Sequence, residues 1–281
     1  MGGGSVARVA GGSVARRPPL TGRPTLDVER RLWRDGHRWV AGLDEVGRGA
    51  WAGPVSVGVA VVHTGCRTRS MPVWLRDSKA LAEERRETVY DEVAAWCADG
   101  AVGHASPAEC DRWGMTAALR LAAHRALAGL ELCPDALVID GPYDLLRAAP
   151  LPAAPSIAEA VAPSRATAAE PQPAAPPLPT VHLPGTVVPV VDGDARCAAV
   201  SAASVLAKVV RDRMMRADAV HYPAYDFDRN KGYPSPAHQL ALRGYGLSAI
   251  HRRSWSYVTD IPWCDGSPAS DRRSGAAPPG P

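Results

Sequence analysis

The 281-residue chain is 46% hydrophobic and carries a formal net charge of +3, enough apolar residue for one large domain or two small ones, and too little charge excess to mark a nucleic-acid binder by totals alone. Its six cysteines (Cys66, Cys97, Cys110, Cys133, Cys197 and Cys264) form no CxxC pair, which excludes a zinc-finger framework and a dense disulfide scaffold and points to a reducing, cytoplasmic setting. No run reaches the ~20 apolar residues that a membrane-spanning helix needs, so no membrane partner is expected.

In chain order, residues 1–26 hold four arginines and no acid. They read as a disordered basic tail ahead of a folded unit over 27–260. Strands are expected at 40–43 and 55–62, the second rich in valine and glycine, joined by a tight Gly-rich turn. Leu81, Val89, Val93 and Trp96 recur at near-helical spacing and predict an amphipathic helix over 81–98. A strand at about 101–105 follows. Ser106, Pro107 and Glu109 form a capping-box start with proline at the first helical position, and Leu119, Ala122, Ala123, Ala126 and Leu130 continue one face. Strands at 136–139 and 187–191 flank a stretch, 148–186, in which nine prolines fall between residues 150 and 179. Neither helix nor packed strand persists through such a composition, so it reads as a disordered insertion. An Ala-rich helix over about 195–216, short helices and turns over 220–258, and a disordered tail over 261–281 complete the chain. The alternation favours an α/β or α+β layered fold.

Three of these strands run into acid: Gly42-Leu43-Asp44-Glu45, Val138-Ile139-Asp140-Gly141 and Val191-Asp192-Gly193-Asp194. Any single acid there is open to a turn-capping reading, and Asp194 sits at a natural N-cap. Three occurrences point instead to one crevice at the strand ends. Clustered carboxylates repel and raise one another's pKa; hard cations such as Mg²⁺ or Mn²⁺ relieve this, and two of them roughly 3.5 to 4 Å apart suit a phosphodiester. Asp212 competes with Asp194 for the site. On one continuous helix the two would lie ~27 Å apart, and Arg216 at i+4 makes Asp212 read as a surface ion pair. Asp44 and Glu45 are adjacent, so a regular strand would turn them to opposite faces and the strand is expected to end or bulge at Glu45. Residues 205–255 hold nine Lys or Arg against four acids, a basic surface beside an acidic crevice.

Taken together, Gly42-Leu43-Asp44-Glu45-Val46-Gly47-Arg48-Gly49, Asp77-Ser78-Lys79, Ile139-Asp140-Gly141, Gly193-Asp194, Ser201-Ala202-Ala203-Ser204-Val205-Leu206-Ala207-Lys208, Lys231-Gly232-Tyr233-Pro234 and His251-Arg252-Arg253-Ser254 occur in an order that resembles ribonuclease HII, from about Trp39 to Trp255. The resemblance implies an α/β fold of the ribonuclease H type, a mixed central sheet flanked by helices with a helical C-terminal region. It also implies two divalent ions, Mn²⁺ or Mg²⁺, held by Asp44, Glu45, Asp140 and Asp194. The implied reaction is hydrolysis of RNA in RNA/DNA hybrids and cleavage 5′ of ribonucleotides embedded in DNA, leaving 3′-hydroxyl and 5′-phosphate ends.

Within that resemblance, Gly47, Arg48 and Gly49 would bring main chain against the sugar. Tyr233 would lie against the sugar following the ribonucleotide and help check its 2′-hydroxyl. Lys79, Lys208, Arg252 and Arg253 would contact phosphates without reading sequence. From the residues alone, turn roles for the glycines and a half-buried packing role for Tyr233 stay open; His238 and His251 read as structural. One departure stands out: Asp192 occupies a place where the family commonly has lysine, which bears on metal affinity. The protein is expected to be monomeric, with no sequence support for a sliding-clamp contact. A silent hybrid-binding protein and an enzyme restricted to long hybrids are the competing readings.

Overall fold

The computed structural model describes residues 23–67, 71, 72, 75, 83–142, 144–146 and 176–261. Residues 1–22, 147–175 and 262–281, where most of the expected tails and insertion fall, and the segment carrying Lys79, lie outside the described residues. Five strands, β1 (Trp39–Val46), β2 (Val55–His63), β3 (Asp99–Ala105), β4 (Ala136–Asp140) and β5 (Thr186–Val190), form one sheet in the order β3-β2-β1-β4-β5. The first three are antiparallel neighbours, whereas β4 and β5 add in parallel to β1. This is the expected mixed sheet. Helices α1 (Asp27–Arg34), α2 (Glu83–Trp96), α3 (Pro107–Ala128), α4 (Gly193–Arg196), α5 (Ala198–His221), α6 (Phe227–Asn230) and α7 (Pro236–Tyr245) flank or extend it. None of the described helices is long and apolar enough to cross a membrane.

Alternation along the strands divides the core. Val40, Ala60, Val62 and Val138 face α5 with α1 and α2, and Ala41, Leu43, Val57, Val59, Val61, Leu137 and Ile139 face α3. The two-residue period of a strand dictates this division, and it puts Asp44 and Asp140 in phase with the α5 face. A third cluster, with Met215, Tyr225, Phe227, Leu242 and Tyr257, ties the C-terminal helices to the loop after β1 through Ala52. The capping box at Ser106 forms as expected: its hydroxyl accepts from the Glu109 N–H and the Glu109 carboxylate accepts from the Ser106 N–H.

The single helix expected over 195–216 is two helices. Cys197 is extended, with φ −109 and ψ 128, because Thr25 pairs across it: the Thr25 N–H donates to the Arg196 carbonyl at 3.0 Å and its carbonyl accepts from Ala198 at 2.9 Å. Helix α1, which hydrophobic spacing did not reveal, supplies the other half of this junction. The fully buried Glu29 carboxylate accepts the Ala199 N–H at 2.8 Å, capping α5 from a distant part of the chain.

Helix α5 lies close against β1 and β2 because glycines face its alanines. A Cβ on Gly42 would stand 2.2 Å from the Ala199 carbonyl carbon, and one on Gly58 would stand 2.3 Å from the Ala203 carbonyl oxygen. Backbone cannot yield to such contacts without moving the helix. Gly58→Ala is therefore expected to destabilise the fold by about 1 to 3 kcal/mol, read by urea denaturation; an unchanged midpoint would refute the close-packing account. Burial pushes the Glu29 carboxyl up from 4.5 to about 7, against the Ala199 hydrogen bond that lowers it. A raised folded-state pKa stabilises fully below the unfolded value and loses that contribution as pH rises through the folded one. Glu29→Gln keeps the cap, so it should match the parent near pH 4.5 and exceed it at pH 8 by on the order of 3 kcal/mol. Parallel pH–stability curves would contradict this.

Candidate active site

β1 and β4 run in register through Leu43 opposite Ile139, so the next residues, Asp44 and Asp140, emerge side by side where that parallel pairing ends. The carboxylates of Asp44, Glu45 and Asp140 offer oxygens that all lie within 4.8 Å of one another. The expected bulge at Glu45 is absent: β1 stays paired with β2 through Glu45 opposite Val57 and Val46 opposite Ser56. Its parallel partner is the strand that stops. Pairing of β1 with β4 ends at Leu43 opposite Ile139, and the Glu45 carboxylate still reaches the group.

Asp194 is 6% exposed and sits inside the first turn of α4. It is not the helix N-cap; Asp192 precedes the helix, exposed and left-handed with φ 58. Asp194 lies outside the close triad yet near enough for its charge to act on Asp44. The turn is tied to the site by the Gly193 N–H, which donates to Asp140 Oδ1 at 2.7 Å. Burial is the main force holding the Asp44 carboxyl well above the ordinary carboxylate range, the charges of Glu45, Asp140 and Asp194 push the same way, and a hydrogen bond from Ser204 opposes them. Crowded hard oxygens that destabilise one another fit a divalent cation, which converts their repulsion into coordination.

Beside the acids, Gly47 turns the chain at φ +82, and a Cβ there would strike Arg211 Nε at 2.2 Å. Its N–H donates to the Tyr233 hydroxyl oxygen at 3.2 Å. Gly49 is exposed, with nothing within 4 Å of where a Cβ would be, and Arg48 is exposed with Nη1 3.8 Å from Glu45 Oε1. The Gly47–Gly49 loop, Tyr233 and the acids therefore share one edge of the molecule.

Two expected phosphate contacts are corrected. Arg252 is fully buried and donates to the carbonyls of Gly47 at 2.7 Å, Arg48 at 3.0 Å and Gly53 at 3.1 Å; it holds the glycine loop from behind instead of facing solvent. Lys208 is hydrogen-bonded to Asp212, which is 2% exposed. Asp212 is thus no surface ion pair with Arg216: its partners are Lys208 and Arg86, the latter at 3.6 Å, while Arg216 pairs with Glu87. Arg253 is exposed, its main-chain N–H anchored on Asp111 at 2.8 Å.

Sequence reasoning passed over Ser204 and Arg211. Arg211 is fully buried and donates to the carbonyls of Pro54 at 2.8 Å, Lys231 at 2.9 Å and Ala52 at 3.1 Å, linking the loop after β1 to the turn before Tyr233. The available signal was polar residues at positions 204, 208 and 211 recurring at helical spacing among the alanines and valines of α5.

The family profile described as Ribonuclease HII matches residues 41–168 and 166–258. Curated relatives bearing the name Ribonuclease HII include one from Streptomyces avermitilis, 41% identical across 87% of this chain and 93% of its own, and one from Streptomyces coelicolor, 44% identical across 85% and 86%. Another, from Thermus thermophilus, is 40% identical across 84% and 94%. Among solved structures, ribonuclease H2 from Pyrococcus horikoshii superposes with a TM-score of 0.59 at 26% identity, covering 79% of this chain and 96% of its own. A ribonuclease HIII, solved with Mn²⁺, shares the fold at a TM-score of 0.55 and 16% identity, covering 90% and 75%. With acids from separate strands meeting beside a glycine loop, and with relatives that match over most of their length, the chain belongs to the ribonuclease HII family of ribonuclease H enzymes.

Proposed function

We propose that this enzyme hydrolyses the RNA strand of RNA/DNA hybrids and nicks on the 5′ side of ribonucleotides embedded in duplex DNA, leaving 3′-hydroxyl and 5′-phosphate ends. The observation that carries this reading is the convergence of Asp44, Glu45 and Asp140 within 4.8 Å, beside main chain left open at Gly49. Two divalent ions, Mn²⁺ or Mg²⁺, would be held by these three acids with Asp194. When bound, they supply the Lewis acidity that activates a water and offsets charge on the phosphoryl oxygens.

The protein's own groups do the rest. Ser204 and the Gly193 N–H orient Asp44 and Asp140, a preorganisation that costs nothing at the moment of reaction. Gly47, Arg48 and Gly49 bring main-chain groups against the sugar, where the 2′-hydroxyl separates RNA from DNA. Tyr233 accepts the Gly47 N–H through its hydroxyl oxygen, which leaves the phenolic proton to the sugar. Arg48, Arg253 and Lys79 supply cationic contacts to phosphates, positioning the duplex without reading sequence. Arg252 and Lys208 act through the groups they hold. Among the described residues the cysteines are free thiols, in keeping with a cytoplasmic setting.

A duplex with one ribonucleotide, incubated with protein and Mn²⁺ or Mg²⁺, should be nicked once on the 5′ side of that ribonucleotide, and Asp140→Asn should lower the rate by about a hundredfold or more; failure of the parent to nick with either ion would sink the reading. Ion binding should also register without catalysis. In the ion-free fold the Asp44 carboxyl sits above its unfolded value, so its contribution favours the fold at low pH and is lost as pH rises. Cations reverse that balance by binding the ionised form. Mn²⁺ at a hundredfold excess over its Kd should add about 2.7 kcal/mol of stability at pH 8, with a smaller gain at pH 5.5 and less in Asp140→Asn. Melting curves indifferent to Mn²⁺ at both pH values would contradict the metal site.

A further inference from the structure

His238 and His251 are fully buried, 0% and 1% exposed, within the C-terminal cluster. Their rings lie against Phe227 at 5.3 and 5.7 Å and against Tyr225 at 6.2 and 4.9 Å. Apolar packing alone does not require two imidazoles there, and their hydrogen bonds run in one sense. His251 Nδ1 faces the Ser248 main-chain N–H at 2.9 Å, a donor that cannot be reversed, so this nitrogen is an acceptor and the ring proton sits on Nε2. That Nε2 lies 2.9 Å from His238 Nε2. Two N–H groups cannot share such a distance, so His238 Nε2 accepts and its proton sits on Nδ1. From there it points at the Tyr233 carbonyl, 2.9 Å away. The Ser248 hydroxyl is a second donor to His251 Nδ1, at 2.7 Å, and each of the other three ring nitrogens has one partner. Burial lowers the pKa of both rings, that of His251 to about 3, which keeps the ordering neutral at working pH.

We propose that His238 and His251 are positioning residues for Tyr233: a proton-ordered chain from Ser248 fixes the tyrosine's main chain and thereby its reading of the sugar at a ribonucleotide junction. The inference rests on the substrate reading given above. Tyr233 is held at both ends. Its hydroxyl takes the Gly47 N–H at 3.2 Å, and its carbonyl takes His238 Nδ1–H together with the Ser235 N–H at 2.8 Å. Ser235 caps α7 by accepting the His238 N–H at 3.1 Å. One histidine thus links the helix start and the tyrosine, and the ring contact with His251 carries the fixation to the 248–252 segment, whose Arg252 holds the glycine loop. A sugar-reading hydroxyl displaced by a fraction of an ångström loses its hydrogen bond, whereas general duplex binding survives.

Two replacements of one side chain separate positioning from packing. His238→Gln keeps an acceptor for His251 Nε2–H and loses the donor to the Tyr233 carbonyl; His238→Asn places an amide N–H near Nδ1 and keeps that donor. The full-length protein and both variants are compared for kcat/KM on a duplex with one ribonucleotide and on a long RNA/DNA hybrid, with thermal melting as the check on folding. His238→Gln should lose about tenfold on the single ribonucleotide and less than about threefold on the long hybrid, and His238→Asn should recover most of the first loss. Equal losses on the two substrates, a folded Asn variant as impaired as the Gln variant, or a parent that cuts only long hybrids overturns the positioning role. A parent that cuts neither substrate overturns the proposed function instead. In that event ¹⁵N spectra of the histidines still decide the chain: protons on His238 Nδ1 and His251 Nε2 support it, and either opposite tautomer refutes it.

Discussion

The closeness with which α5 approaches the sheet governs the geometry of the site. Gly42 and Gly58 leave no room for a side chain between the strands and the helix backbone, so the helix axis is set by main-chain contact and not by compressible side chains. Ser204 hangs from that helix onto Asp44, and the same helix carries Arg211 to the loop after β1. Its start is set by Thr25 and Glu29. Any displacement of α5 would move the support of the acids and the support of the glycine loop together.

Charge is distributed around this frame in two unlike ways. The acids are crowded together, and burial with mutual repulsion lifts the Asp44 carboxyl; this is an arrangement that suits a cation. Arg211 and Arg252 are buried with their guanidiniums answered by main-chain carbonyls. Desolvating a guanidinium is costly unless its donors are paired, and here each has three carbonyl partners. The resulting frame under Gly47–Gly49 is rigid and positively charged, suited to a polyanionic duplex outside it. Asp212 and Lys208 on α5 form a separate ionic group with Arg86 on α2.

Much of this was legible in the residues. Apolar runs leading to Asp44, Asp140 and Asp194 marked the acids of the site, although β1 continues to Val46 and Asp194 lies on α4, and the Ser106 start identified α3 through local hydrogen bonding that needs no distant partner. The Gly47-Arg48-Gly49 run announced a special loop. Less legible were the side chains whose meaning depends on what lies opposite. Arg252 read as a phosphate contact and Asp212 as a surface pair because both are charged, and charge ordinarily implies solvent. The break at Cys197 was hidden because alanine on either side favours helix, and Thr25, far away in the chain, overrides that preference.

The sequence by itself determined which apolar runs meet carboxylates, where local helix signals lie, and that a glycine loop follows the first acid pair, because periodicity and capping act within a few residues. Only the tertiary structure decided that Glu45 joins Asp44 without a bulge, that Arg252 faces inward and Lys208 pairs with Asp212, and that two histidines stand behind Tyr233. Those outcomes depend on contacts such as Arg252 to Gly47, 205 residues apart. Burial and partner choice at that range are set by how the layers pack, which no local pattern encodes.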